Sequence, residues 1–479
     1  MKIEKLPEII KDIKEEDLLR AIFYHSINSL LHSSIEIHRR HNVIYPFVIE
    51  AVYEYFMMFN ENGSNTLTPE LFGDINLTIF RLPKMMLDKY GTDNIMTLFY
   101  LWQIEDQSYI FQKLYRYDWL FHFKNKKIDV SKVFKDKFGC DYIAFEIFCI
   151  LMVSISVSTR DANTLSLWAY CNNVKNTIIS TYQSVVKQLT ITRGEYKKAS
   201  AAVCGNQNLL TFSLKISKLY PFITNERGLI CPMPHTIIPA CTSSLLFRLT
   251  EGDDILHGLI SKEALEEYCY HLFSSQPYYS LVRREKGFGK NSLSSDVLLV
   301  ENDILYCIEV KAFTPNTKTR LMNSEELNTQ VDIVVEDLFE LYRFLFINYP
   351  NNDDLFSKYD INNRFGILAL RGDASFNRRI LYSRLFDRIA KEYGQTVDEQ
   401  AKKLIIRTIK ISCLDELETA AFTCTRISTI VSHYNTPGHE MDLTAQSVFN
   451  KYRSLKCLKE YEEKIHKLSE SLLRFLTNN

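Results

Sequence analysis

Apolar residues recur at every third or fourth position through much of the first half of the chain. Leu18, Leu19, Ile22, Phe23, Ile27, Leu30 and Leu31 keep the spacing of one helix face. Thr68-Pro69-Glu70 supplies a cap-like Thr followed by Pro, the start of another helix. Further helices are expected over 94–114, 142–157 and 163–188, so residues 15–249 read as mostly helical. Within them, Tyr53, Tyr55, Phe56 and Phe59 read as core rather than as a base-stacking platform. The most apolar run, Ile147 to Val157, is too short to span a bilayer and has Glu146 and Arg160 at its flanks, so it reads as a buried helix.

The pattern changes near Tyr220. Pro221, Pro232, Pro234 and Pro239 crowd a stretch that cannot be helix interior, and an extended connector is expected over 220–250. Beyond it the period alternates. A helix over 261–273 precedes strand-like runs at 278–284, 296–301 and 304–313; a long helix over 324–346, an apolar strand at 365–370, a helix over 379–393 and a last strand at 404–413 follow. That order predicts an α/β domain, a mixed sheet flanked by helices, attached to a mainly α-helical N-terminal region. The tail carries Phe449, Tyr452, Leu455, Leu458, Ile465 and Leu468 at helical spacing. The expected organisation is therefore helical 1–219, connector 220–250, α/β domain 251–440 and amphipathic helix 441–479.

Composition narrows the class. At 479 residues the chain exceeds what one core usually organises, and 46% hydrophobic against 24% charged residues excludes a mainly disordered protein. With 57 Lys+Arg and 58 Asp+Glu the net charge is −1, so no global positive field points to nucleic acid or an anionic membrane, and such a partner must be read from local stretches. The closest pair of the eleven cysteines, Cys140 and Cys149, is nine apart and no CxxC occurs, which reads as buried thiols in a reducing cytoplasm. The opening residues lack an apolar signal-peptide region, and no membrane partner is expected.

The stretch that carries chemistry runs from Ser295 to Ala312. Asp296 heads one strand, Glu309-Val310-Lys311 ends the next, and the turn-prone Glu301-Asn302-Asp303 joins them. Glu309 and Lys311 share a face because side chains alternate along a strand. A hairpin closing near Asn302 sets Asp296 opposite that end. Two carboxylates so placed, among Val297, Leu298, Leu299, Ile308 and Val310, repel one another in a half-buried setting. A divalent cation resolves the conflict, since Mg²⁺ takes one or two carboxylates and keeps positions open for phosphate oxygens.

In these residues and in the order of elements around them, the chain resembles the PD-(D/E)XK nuclease superfamily over about 259–417. The resemblance implies a restriction-endonuclease-like fold and Mg²⁺- or Mn²⁺-dependent hydrolysis of phosphodiester bonds, with DNA expected ahead of RNA because the superfamily mostly cuts DNA. It makes Asp296 and Glu309 metal ligands, the Val310 carbonyl a third ligand and Lys311 the catalytic lysine. Ser295 stands where the family's proline is usual. Many members carry a Glu on the helix before the sheet, where Glu263, Glu266 and Glu267 are candidates; on a helical wheel Glu266 lies nearest the border of the apolar face. A nuclease with its own helical region and no ATPase motif is similar to effectors of restriction or anti-phage defence. The competing expectation is a degenerate nuclease fold acting as a nucleic-acid-binding or assembly scaffold.

Secondary signals are local. Arg283, Arg284, Lys286 and Lys290, with two glycines among them, could follow a phosphate backbone beside the site or simply form a charged hairpin loop. Residues 371–410 hold ten Lys or Arg against five Asp or Glu, with Arg378 and Arg379 as candidate phosphate contacts, while Glu325, Glu326, Asp332, Glu336 and Asp337 offset them elsewhere. The lysines between Lys124 and Lys137 read as a solvated face. His433 with His439, and His32, His38 and His41, lack metal-ligand spacing and read as structural or surface groups. Besides nucleic acid, the partners to expect are a second copy of the chain, as a homo-oligomer, or an activating protein.

Overall fold

A computed structural model describes residues 2–30, 44–90, 110–158, 178, 180–204, 216–225, 228–284, 287–288, 292–293, 295–312, 324–348, 358–370, 378–440, 445–449 and 456–478. The expected helical stretches 94–109 and 163–177, and His32, His38 and His41, lie outside the described residues. The chain forms two compact units, one of Met1–Gly91, Phe121–Asp254 and Tyr461–Asn479, the other of Thr92–Leu120 and Ile255–Glu460. The partition is therefore not collinear with the sequence.

The first unit is built on helices Glu15–Leu30, Pro46–Phe59, Pro69–Tyr90, Val130–Phe138 and Tyr142–Ser158. Thr68 caps the third of these by accepting a hydrogen bond from the Leu71 N–H at 3.2 Å. Tyr53, Tyr55 and Phe56 are buried, as their periodicity requires. Among the described residues no single helix is long and apolar enough to cross a membrane. The core includes one polar tie. Ser26 Oγ lies 2.8 Å from His235 Nδ1, His235 Nε2 lies 3.2 Å from Glu50 Oε1, and Lys218 Nζ meets that same oxygen at 3.2 Å, all buried. The Lys124–Lys137 stretch is largely exposed, with Lys124 paired to Asp129.

The proline-rich stretch 220–250 is not an extended connector. It forms strands Phe222–Asn225 and Gly228–Ile230, which join Thr190–Thr192 in a small sheet, and then the short helices Ile237–Ala240 and Ser243–Thr250. The prolines occupy positions that need no N–H donor: Pro234 opens a 3₁₀ turn and Pro221 precedes a strand. The apolar residues among and after them, Cys231, Met233, Ile237 and Leu245, are fully buried, so the segment is core.

The second unit is the mixed α/β body expected of the C-terminal half. Its helices are α1 (Ile110–His122, through Leu120), α2 (Glu266–Ser274), α3 (Ser324–Tyr342), α4 (Arg378–Tyr393), α5 (Glu399–Thr408), α6 (Leu414–Phe422) and α7 (Ile427–Asn435). Its strands are β1 (Leu281–Arg284), β2 (Val297–Glu301), β3 (Ile304–Lys311), β4 (Arg364–Leu370) and β5 (Ile409–Cys413). They lie in the order β5-β4-β3-β2-β1, with β1, β2 and β3 antiparallel and β3, β4 and β5 parallel.

Two details fix this register. The β2–β3 hairpin turns on Asn302 and Asp303, both with positive φ, the conformation of a two-residue hairpin loop that matches strand twist. The parallel step from β3 to β4 requires a crossover, and α3 provides it. Gly366, level with Cys307, lets α3 and its continuation come close: a Cβ there would lie 2.4 Å from Leu345 Cδ1 and 3.1 Å from Leu341 Cδ1. The last strand is shorter than expected. Residues 404–408 complete α5, whose first turn is capped by Asp398 accepting from the Ala401 N–H at 2.8 Å, and only 409–413 is strand. A short apolar run such as Leu404-Ile405-Ile406 fits either period, and the cap decides it.

Candidate active site

The hairpin assembles the acids by register alone. Val297 stands opposite Ile308, so the next pair outward is Asp296 and Glu309, on the face that also carries Leu298 and Cys307. Asp296 is buried, and its Oδ2 accepts the Val310 N–H at 2.7 Å. A residue's N–H and C=O leave an extended strand on the same side, so the Val310 carbonyl is turned toward Asp296 as well. Glu309 and Lys311 lie at the carboxyl end of β3, beside the parallel strand β4, where open α/β sheets place their ligand sites.

Lys311 Nζ lies 3.0 Å from Glu309 Oε1 and 3.3 Å from Asp337 Oδ1 of α3. Burial pushes the Glu309 carboxyl up to about 8, and Asp296 adds to the rise while Lys311 opposes it. Burial raises Asp337 too, against the pull of Lys311. For Lys311 burial acts downward, but Glu309 and Asp337 outweigh it, and the amine is held above its ordinary value. Three carboxylates and one ammonium thus share a largely buried neighbourhood, formally two negative charges in excess. Asp337 was not among the expected site residues. On a helical wheel it borders the stripe of Val334, Leu338 and Leu341, the same signal that selected Glu266.

Glu266 is buried at the start of α2, whereas Glu263 is half-exposed. The Cys269 thiol, one turn on, is raised by burial and by the surrounding Glu418, Asp296 and Glu266 charges, which places Glu266 and Asp296 in one electrostatic neighbourhood. Arg284, opposite Val297, pairs with Glu267 and lies 3.7 Å from Glu266. Arg283 is opposite Leu298 on the face of Asp296 and is half-buried. Lys286 and Lys290 lie outside the described residues.

Among the described residues of the basic stretch after β4, three arginines are engaged within the unit. Arg378 is buried, with its guanidinium 4.0 Å from the Tyr434 ring centroid, so it supports the core rather than a backbone phosphate. Arg384 meets Asp332 at 2.7 Å and Arg388 meets Glu336 at 2.6 Å, both acids on α3. Arg379 is exposed. Local charge counting missed this because the neutralising acids lie some fifty residues upstream and reach the arginines only through the α3–α4 pairing.

Among the described residues no group of three or more His, Cys, Asp or Glu side chains stands in metal-holding geometry. Asp296 and Glu309, neighbours across the hairpin, and the Val310 carbonyl are oxygen donors of the kind Mg²⁺ takes, since it binds through one or two carboxylates and completes its shell with water and substrate oxygens. The excess negative charge and the raised Glu309 carboxyl fit a dication in the same way. Comparison of the chain with known protein families, curated proteins and solved structures finds no match.

Proposed function

We propose that the C-terminal α/β unit is a metal-dependent nuclease with a restriction-endonuclease-like fold, hydrolysing phosphodiester bonds in DNA in preference to RNA. The observation that carries the reading is the meeting of Asp296, Glu309 and Lys311 at the end of one hairpin, two acids in register and an ammonium 3.0 Å from the second. The element order supports it: a helix, three antiparallel strands with the acids on the second and third, a crossover helix and a parallel strand.

Asp296, Glu309 and the Val310 carbonyl would hold Mg²⁺ or Mn²⁺. When bound, the cation supplies Lewis-acid polarisation of the scissile phosphate. Asp296 is kept in place by the Val310 N–H. Lys311 donates hydrogen bonds, orienting the attacking water and offsetting charge that builds on the phosphate oxygens as the water O–P bond forms and the leaving P–O bond breaks. Arg283 and Arg379 are the described candidates for contact with the substrate backbone. A role as an effector of restriction or anti-phage defence extends this reading by analogy of architecture.

One observation favours the alternative of a scaffold that binds without cutting. Lys311 is already neutralised by two carboxylates, as in a structural ion-pair cluster. Incubating the purified chain with supercoiled, linear and single-stranded DNA and with RNA, in Mg²⁺ or Mn²⁺, separates the two. Cleavage is expected, with Asp296→Ala and Lys311→Ala lowering the rate by roughly 10²–10⁴-fold at unchanged circular dichroism. Cleavage of no substrate in either metal would overturn the enzyme reading.

A further inference from the structure

Lys311 has two anionic neighbours of different origin. Glu309 is its own strand neighbour two residues back, and Asp337 comes down from α3 over the same face. The approach of α3 is fixed by packing, since Leu341, one turn beyond Asp337, and Leu345 fill the space left by Gly366. The Asp337 carboxylate is therefore presented by a helix held against the sheet. All three side chains are at least two-thirds buried, with exposures of 30% for Lys311, 17% for Glu309 and 19% for Asp337.

That arrangement bears on what happens when Glu309 takes a cation. An ammonium and a dication on one carboxylate repel, and in a half-buried setting the repulsion is poorly screened. With Glu309 as its sole counter-charge, Lys311 would either compete for the carboxylate or swing away from the reacting phosphate. Asp337 gives the ammonium a second counter-charge that a cation at Asp296 and Glu309 leaves available. Resting on the nuclease reading above, we propose that Asp337 is a positioning residue that keeps the Lys311 ammonium beside the metal site once a divalent cation occupies Glu309.

The test uses the full chain and two readouts: Mn²⁺ titrated calorimetrically into protein free of nucleic acid, and cleavage of duplex DNA at saturating Mn²⁺. Asp337→Asn is expected to weaken Mn²⁺ binding and lower kcat, each by about 10–100-fold, the range for residues that orient metal-site groups. KM for DNA should stay within about threefold, because the role proposed for Asp337 is exerted through Lys311 and not on the substrate. Asp337→Glu keeps the charge and is expected to restore both quantities to within about one order of magnitude. A merely structural role would lower the melting temperature without moving kcat below it. If Asp337→Asn fails to fold, Asp337→Ser takes its place, since the argument concerns charge. Wild-type Mn²⁺ affinity and kcat in the uncharged variants would overturn the positioning role and leave the nuclease reading standing. A wild-type chain that neither binds Mn²⁺ nor cuts would overturn both.

Discussion

At Lys410 a primary amine sits on β5 with 3% exposure, donating to the Ile406 carbonyl and to Asn435 Oδ1, each at 2.7 Å. Burial first, then Arg378, depress it from 10.5 to about 7; Glu440 opposes them and Arg407 adds a lesser downward push. The sign follows directly. Below pH 7 the amine is charged in both states and the cost of burying it is complete; between 7 and 10.5 the unfolded chain binds the extra proton, so stability from this group rises with pH. Lys410→Met should remove that rise, so that wild type gains roughly 2 kcal/mol on the variant between pH 7 and pH 9 in urea unfolding. Parallel pH curves would show that the amine titrates normally. Asp296, Glu309 and Lys311 could be read from the sequence because one hairpin contains them and strand alternation aligns them. For Asp337 the wheel gives only its place at the border of an apolar stripe, and for Lys410 nothing, since each owes its setting to a neighbour brought close by a helix packed on the sheet.

Gly366 shows the same dependence among elements. In the sequence it is a small residue inside an apolar run; in the fold it is where β4 admits Leu341 and Leu345. Gly366→Ala is expected to cost about 1–3 kcal/mol by overpacking, read as a lower urea midpoint at unchanged slope. Leu345→Ala in that background should recover part of the loss, and additive losses would refute the contact. Periodicity located β2, β3, β4, α3 and α4 because each carries one period over its length. It failed over 220–250, where proline was read as excluding regular structure, and at 404–408, where a cap outweighs three apolar residues.

At the scale of the whole molecule, Arg116 joins distant parts of the chain. It is buried on α1 with Nε donating to Glu418 at 2.7 Å, and it also pairs with Asp415; Tyr268 of α2 donates to Glu418. Burial opposes the Arg116 charge, but the two acids outweigh it and hold the guanidinium above its ordinary value. Arg116→Met in the intact chain should cost about 3–5 kcal/mol, because it leaves buried carboxylates uncompensated. A fragment of 255–460 expressed alone should show a broad, weakly cooperative melt, sharpened by restoring 92–120. A sharp melt for the fragment alone would show α1 to be dispensable. Neither the sign nor the place of this pairing is visible locally, since 299 residues separate Arg116 from Asp415.

The interleaving of the two units has a consequence for biosynthesis. A ribosome delivers residues in order, and domains usually fold as they emerge. Here the first unit needs the Tyr461–Asn479 stretch, whose Tyr461 hydroxyl donates to Glu146, 315 residues earlier. The second unit must wait for α6 before Arg116 finds its acids. Each unit therefore begins early and closes late, leaving Arg116 on α1 to spend most of translation without its final partners, where a chaperone has most to offer.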